Sequence, residues 1–258
     1  MFWDFDVPIT LDKSGASRNA SPVIDSLRTF GYGGIVLSES VTGKVVKKCS
    51  FDSRPISRLK SSFSQATELV QKTRLNVILS DSQQIQTLSS SNACIQSYDI
   101  IAIQPTTEKL FYQACQTIDC DIITFDLSDR IPFMLKFPAV NSAIARGIFF
   151  EISYSSLISD AASRHHYLSN CLNIVRVTKG RNLIISSHAV QAMLVRGPYD
   201  VMNLCALIGL SQSEAKAALA INPQAALAHA QVRRSAQGVC LASNIASLHP
   251  ENDAWILS

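Results

Sequence analysis

Short apolar runs alternate with longer amphipathic stretches along this chain, and the alternation predicts a β/α fold. The runs at 2–9, 35–37, 75–79, 99–103, 121–125, 148–152 and 183–185 have strand length, and most are closed off by polar residues. Between them lie segments with helical punctuation or spacing. One at 21–30 opens on Ser21-Pro22 and stops at Gly31; one at 64–74 puts Ala66, Leu69 and Val70 on one side. Further helices are predicted over 82–98, 107–118, 132–146 (stopped by Gly147) and 160–178 (stopped at Lys179-Gly180). Strands separated by helices at regular spacing pair in parallel through right-handed crossovers. The expected fold is therefore α/β, a barrel of seven mostly parallel strands.

No eighth apolar run follows Gly209. Ser211 and Glu214 form a capping box that starts an alanine-rich helix, and Asn222-Pro223 is expected to stop it and start another toward Arg233. These extra C-terminal helices are expected to close the barrel. Residues 39–58 read as a long polar loop, and 238–258 as a tail after a single barrel domain at 1–237.

The stretch 182–209 carries the densest punctuation. Its strand leaves through Ser186, Ser187 and His188, and in a parallel barrel that end faces a ligand. Then comes Arg196-Gly197-Pro198-Tyr199-Asp200. Gly197 is expected at φ > 0, Pro198 as the first residue of a helix, and Asp200 near that helix's positive end. Arg196 is expected at the exposed lip, presenting its guanidinium to a phosphate or a partner carboxylate.

Composition bounds the class. With 258 residues, 47% of them hydrophobic, the chain can bury one large core. Seven cysteines show no CxxC spacing, which predicts reduced thiols in a cytosolic or nuclear compartment and no zinc site. The start, MFWDFDVPIT, lacks the basic and apolar regions of a signal peptide, and no run of 18 apolar residues predicts a membrane span.

The net charge of +3 is small but uneven. Between Lys44 and Arg74 eight basic residues, including Lys44, Lys47, Lys48 and Arg54, face only Asp52 and Glu68. From Arg164 to Arg181 lie Arg164, Arg176, Lys179 and Arg181, with no acid among them. Ordinary solvated faces would read this way too. A polyanion-binding face is preferred because the rest of the chain is then net acidic.

Candidate chemistry at the strand ends is acidic: Asp4, Asp6, Ser38, Glu39, Asp81, Gln104, Asp126, Glu151, Ser186, Ser187 and His188. Metal-dependent hydrolases on such barrels use several histidines, which suit zinc, manganese and iron. Here the first strand offers Asp4-Phe5-Asp6 instead, whose alternation points the two carboxylates to one face and Phe5 to the other. Asp4, Asp6, Asp126 and Glu151 could still hold a divalent ion through oxygen, which keeps a metal-dependent phosphoesterase as the alternative. GxGxxG, GxxxxGK[ST] and GxSxG are all missing, and His188 reads as a polar loop residue.

Several longer motifs remain. Thr107-Glu108-Lys109-Leu110-Phe111 with Ala114-Cys115, Asp119-Cys120-Asp121-Ile122-Ile123, and Arg146-Gly147-Ile148-Phe149-Phe150-Glu151-Ile152-Ser153-Tyr154-Ser155 come in order. Lys179-Gly180-Arg181-Asn182, Ile184-Ile185-Ser186-Ser187 and Arg196-Gly197-Pro198-Tyr199-Asp200-Val201 follow them. Together they resemble the thirty-kilodalton protein subunit family of eukaryotic ribonuclease P and ribonuclease MRP. The resemblance implies a TIM-like barrel related to metal-dependent phosphoesterases, serving as a scaffold and RNA-binding subunit without catalysis or cofactor of its own. It implies as partners the ribonuclease P and MRP RNAs, a small RNA-binding-fold protein subunit and the other protein subunits. It also implies a nuclear and nucleolar location and roles in tRNA 5′-end maturation and rRNA processing. Lys44, Lys47, Lys48, Arg54, Arg164, Arg176, Lys179, Arg181 and Arg196 are then the expected RNA contacts.

Overall fold

Seven strands lie side by side in chain order: β1 (Trp3–Pro8), β2 (Gly34–Thr42), β3 (Val70–Leu79), β4 (Ile100–Pro105), β5 (Ile122–Ile123), β6 (Phe149–Ser153) and β7 (Leu183–Ser186). Every neighbouring pair is parallel. This is a computed structural model, described over residues 1–9, 20–43, 69–88, 92–159 and 162–235. The connections and the C-terminal part carry α1 (Ala20–Thr29), α2 (Ala93–Gln96), α3 (Glu108–Gln116), α4 (Phe137–Ala145), α5 (Ser155–Ser159), α6 (Arg164–Thr178), α7 (Pro198–Leu207) and α8 (Gln212–Arg234). The sheet curls until its edges meet. Just past β7 the His188 amide donates to the Asp6 carbonyl at 2.9 Å, and the Ser187 amide donates to Asp4 Oδ1 at 2.9 Å. The result is a TIM-like barrel with seven strands.

Alternation along the strands sorts the side chains into two layers. Leu75, Val77, Leu79, Ile101, Ile103, Ile123, Phe150, Ile152, Leu183 and Ile185 pack in one large buried cluster with residues of the surrounding helices. Trp3, Phe5, Val36, Ile100, Ala102, Ile122, Phe149 and Ile184 form a separate buried cluster inside the barrel. Gly34 belongs to that packing, because a Cβ there would lie 2.3 Å from the Trp3 ring. The interior is closed from below by α8, whose Ala226 and Ala230 join the inner cluster. Polar contacts fix α8 in place. Arg233 Nε donates to both oxygens of buried Asp121 at 3.1 Å, and His229 Nδ1 lies 2.9 Å from Asp121 Oδ1.

Several expectations change. Residues 70–74 are strand rather than helix, so Arg74 enters the barrel wall. Residues 39–42 extend β2, which shortens the expected loop. The polar helix over 82–98 is a 3-10 segment, Ser82–Leu88, followed by the single turn α2, as a stretch with little apolar periodicity allows. The helix expected at 160–178 is preceded by the separate α5. Pro223 does not divide the last helix. α8 runs through it, and the lost backbone bond is offset by packing on both sides, Ala218 and Leu219 in the outer cluster and Ala226 and Ala230 in the inner one. Gly197 has φ −64° and ψ 150°, ordinary extended backbone, and between 179 and 209 the left-handed positions are Lys179, Gly180, Asn182, His188 and Gly209 instead. The tail at 238–258 lies outside the described residues.

Candidate functional site

The carboxyl ends of the strands surround a recess of about 360 Å³ whose lining includes Asp6, Asn76, Gln104, Thr124, Asp126 and His188. At its base lies Arg74, fully buried. Its Nη1 and Nη2 donate to the two carboxylate oxygens of Glu151, a bidentate pair in which neither side chain reaches solvent. Nη1 also donates to the Phe5 carbonyl at 2.8 Å and Nε to Asn76 Oδ1 at 2.6 Å, while Nη2 stands 3.9 Å from Asp6 Oδ2. Nearly the whole hydrogen-bonding capacity of the guanidinium is therefore used inside the barrel.

Asp6 joins this cation to a second one. Its Oδ2 lies 2.7 Å from His188 Nδ1, and its Oδ1 accepts a long bond from Asn76 Nδ2 at 3.5 Å. Burial alone would push the Asp6 carboxyl up, but Arg74 and then His188 outweigh burial and hold it well below the usual carboxylate range. In return Asp6 raises the His188 imidazole to about 9, against the opposing effect of burial. His188, expected to be an ordinary loop residue, is thus a positively charged member of the mouth at neutral pH.

The four carboxylates of the metal alternative are not brought together. Asp4 turns to the seam between β1 and β7, where it accepts the Ser187 amide. Burial raises its carboxyl to about 6. Asp126 is exposed at the rim and accepts the Ser128 amide at 3.0 Å. Asp6 and Glu151 do face one another, with the Arg74 guanidinium between them. Among the described residues no three His, Cys, Asp or Glu side chains converge as a metal site. A divalent ion therefore does not fit this mouth as it stands, because the position it would share between Asp6 and Glu151 belongs to Arg74.

The expected basic residues fall into four groups. Lys44, Lys47, Lys48 and Arg54 lie outside the described residues. Arg164 opens α6 and spends its Nε on the Leu157 carbonyl at 2.9 Å. Arg176, Lys179 and Arg181 gather at the other end of α6, where Lys179 is the left-handed cap. Their partners are neutral: Arg176 donates to Asn173, Arg181 to Asn141, and Lys179 sits 4.8 Å from the centre of the Phe137 ring. Among the described residues none of these three forms an ion pair, although the Glu214 carboxylate lies beside Gly180 between Lys179 and Arg181. Arg176 also borders a groove of about 870 Å³ whose lining includes Arg130, Met134, Lys136, Asn170 and Leu172.

Arg196 stands apart from them. Its Nη1 donates to the Met193 and Val195 carbonyls, its amide donates to the Tyr154 hydroxyl, and its carbonyl accepts from the Tyr32 hydroxyl. These bonds fold the guanidinium back on its own loop. Sequence reasoning misses Arg130 and Lys136 on the groove, and it counts Arg74 among the surface cations. Only the alternation of Arg74 with the buried Leu75 and Val77 hints at an inward position.

The RNase P subunit p30 family model matches residues 1–235. The ribonuclease P protein subunit p30 of Mus musculus is 41% identical over 167 residues, covering 65% of this chain and 62% of the mouse protein. The probable ribonuclease P protein subunit 3 of Schizosaccharomyces pombe is 30% identical over 220 residues, 84% of this chain and 88% of the yeast protein. Among solved structures, a chain of archaeal ribonuclease P with mature tRNA shares the fold, with a TM-score of 0.63 at 16% identity and coverage of 94% and 99%. The family model, matched over residues 1–235 of this seven-stranded barrel, places the chain in the RNase P subunit p30 family.

Proposed function

We propose that this chain is a non-catalytic protein subunit of the ribonuclease P and ribonuclease MRP particles, supporting a catalytic RNA in tRNA 5′-end maturation and rRNA processing. The observation that carries the non-catalytic part is Arg74 between Asp6 and Glu151. Asp6 and Glu151, the two strand-end carboxylates that do face one another, already hold a guanidinium where a phosphoesterase would hold a metal. Family membership carries the rest. The proposed partners are the two RNAs, a small RNA-binding-fold protein subunit and the other protein subunits, and the proposed location is the nucleus and nucleolus. The buried free thiols Cys115, Cys120, Cys171 and Cys205 are compatible with a reducing compartment.

The end of α6 is the proposed RNA-facing surface, through Arg176, Lys179 and Arg181, with Arg130 across the groove from Arg176; Lys136, also on the groove, is paired with Glu108 at 2.8 Å. Arg164, at the opposite end of α6 and bonded to the Leu157 carbonyl, is proposed as a separate contact. Lys44, Lys47, Lys48 and Arg54 are proposed on charge alone, and Arg196 contributes by holding its loop in shape. Removing one side chain that neutralises a phosphate should flatten the plot of log affinity against log salt by about 0.7–0.9. Changing Arg176, Lys179 and Arg181 together to glutamine should therefore lower the slope for ribonuclease P RNA by about 2–3. An unchanged slope would return these residues to an ordinary solvated face.

A further inference from the structure

The barrel mouth offers a second cation problem that the RNA-binding reading does not touch. Asp6 and Glu151 are both essentially out of water, on β1 and β6, and both point at one small volume. Two carboxylates so placed repel one another and lose their hydration, and they persist only if a cation lies between them. Proteins meet that demand with a divalent ion or with a basic side chain. Here Arg74 from β3 meets it, with Asn76 two residues on accepting from its Nε, and His188 approaches the same Asp6 oxygen, Oδ2, that faces the guanidinium.

We infer that Arg74 is the resident cation of the mouth, occupying the place of a divalent ion, and that its removal turns Asp6, Asn76, Glu151 and His188 into a divalent-cation site. The replaced group leaves three oxygen-bearing side chains at the vacated volume, with the His188 imidazole beside it on Asp6 Oδ2. Asn76 Oδ1 is freed from its guanidinium donor, and both oxygens of Glu151 become available. A mixed set of carboxylate, amide and imidazole suits manganese, cobalt or zinc. The inference rests on the same Arg74 geometry as the non-catalytic reading: failure of Arg74→Ala to take an ion leaves that reading standing, whereas ion binding by wild type overturns both.

The test compares the full chain with Arg74→Ala, each melted in EDTA and in manganese, cobalt or zinc chloride, with equilibrium dialysis to count bound ions. Arg74→Ala should melt well below wild type in EDTA. It should recover by roughly 5–10 °C once the ion exceeds its Kd about a hundredfold, with about one ion bound per chain. Wild type should show neither response. Because Arg74→Ala leaves two buried carboxylates without a cation, it is also refolded from denaturant with and without each ion, and soluble recovery only with an ion supports the inference. The double variant Arg74→Met/Glu151→Gln, which removes one charge of each sign, should fold in EDTA and ignore the metals. The inference is overturned if none of the three ions stabilises or rescues Arg74→Ala. It is equally overturned if wild type binds an ion at the same site, or if the double variant responds as strongly as Arg74→Ala.

Discussion

Arg74 and Glu151, 77 residues apart in sequence, meet inside the barrel through two parallel hydrogen bonds with neither side chain exposed to solvent. Breaking such a pair from one side leaves the other charge buried alone. Glu151→Ala and Arg74→Ala should each cost about 3–5 kcal/mol in the absence of a metal, whereas Arg74→Met/Glu151→Gln should cost far less than their sum. A double-mutant cycle by urea denaturation checks this. Additive losses would mean that the two side chains are held by other contacts.

Asp4 should make the fold more stable in mild acid. Burial raises its carboxyl from 3.8 to about 6, so the folded chain holds a proton there that the unfolded chain has already released. Its contribution is complete below about pH 4 and declines as pH rises through 6. Asp4→Asn keeps an oxygen for the Ser187 amide without a charge to bury. It should equal wild type near pH 4 and exceed it by on the order of 1–3 kcal/mol at pH 7. Melting curves across this range test the point, and a less stable Asn variant at pH 7 would refute it.

His188 should act in the opposite direction along the pH scale. Asp6 raises its imidazole to about 9, so the stability from this pair is complete below about pH 6.5 and disappears as pH rises through 9. The side chain is 43% exposed, and solvent screening limits the effect to about 1 kcal/mol. His188→Asn is the apt substitution, since φ at this position is 49° and asparagine accepts left-handed backbone. The variant should lose the decline between pH 6.5 and 9. A decline of unchanged size would assign it to another group.

The barrel is legible in the sequence because apolar runs of strand length recur between capped helices, and the capping box at Ser211 and Glu214 forms as expected. Strand positions are readable where burial forces an apolar run. β3 reads short because Gln71, Lys72 and Arg74 look like helix surface, whereas the strand continues through them and buries the arginine against a carboxylate far along the chain. The candidate site is less legible for the same reason. Asp4 and Asp6 read as sharing one face, but a register shift between Asp4 and Val7 sends Asp4 to the barrel seam and Asp6 to Arg74 and His188. No local pattern reports a bulge, nor the pairing of Asp121 with Arg233 at the barrel floor. Residue type alone assigns Gly197 a left-handed backbone. Its φ of −64° shows that Pro198 after it already favours extended backbone.

Cleavage of precursor tRNA by ribonuclease P assembled with the Arg74→Met/Glu151→Gln subunit probes the non-catalytic role most directly. The substitution removes the buried Arg74–Glu151 pair from the mouth while keeping its net charge, and the rest of the barrel supplies the surface for assembly. If the chain is a scaffold, the rate should stay within about three-fold of the wild-type particle, below the change expected when a catalytic donor or the group that orients it is removed. A loss of about a hundredfold or more, with the particle intact by sedimentation, would place chemistry in the barrel mouth and contradict the scaffold role.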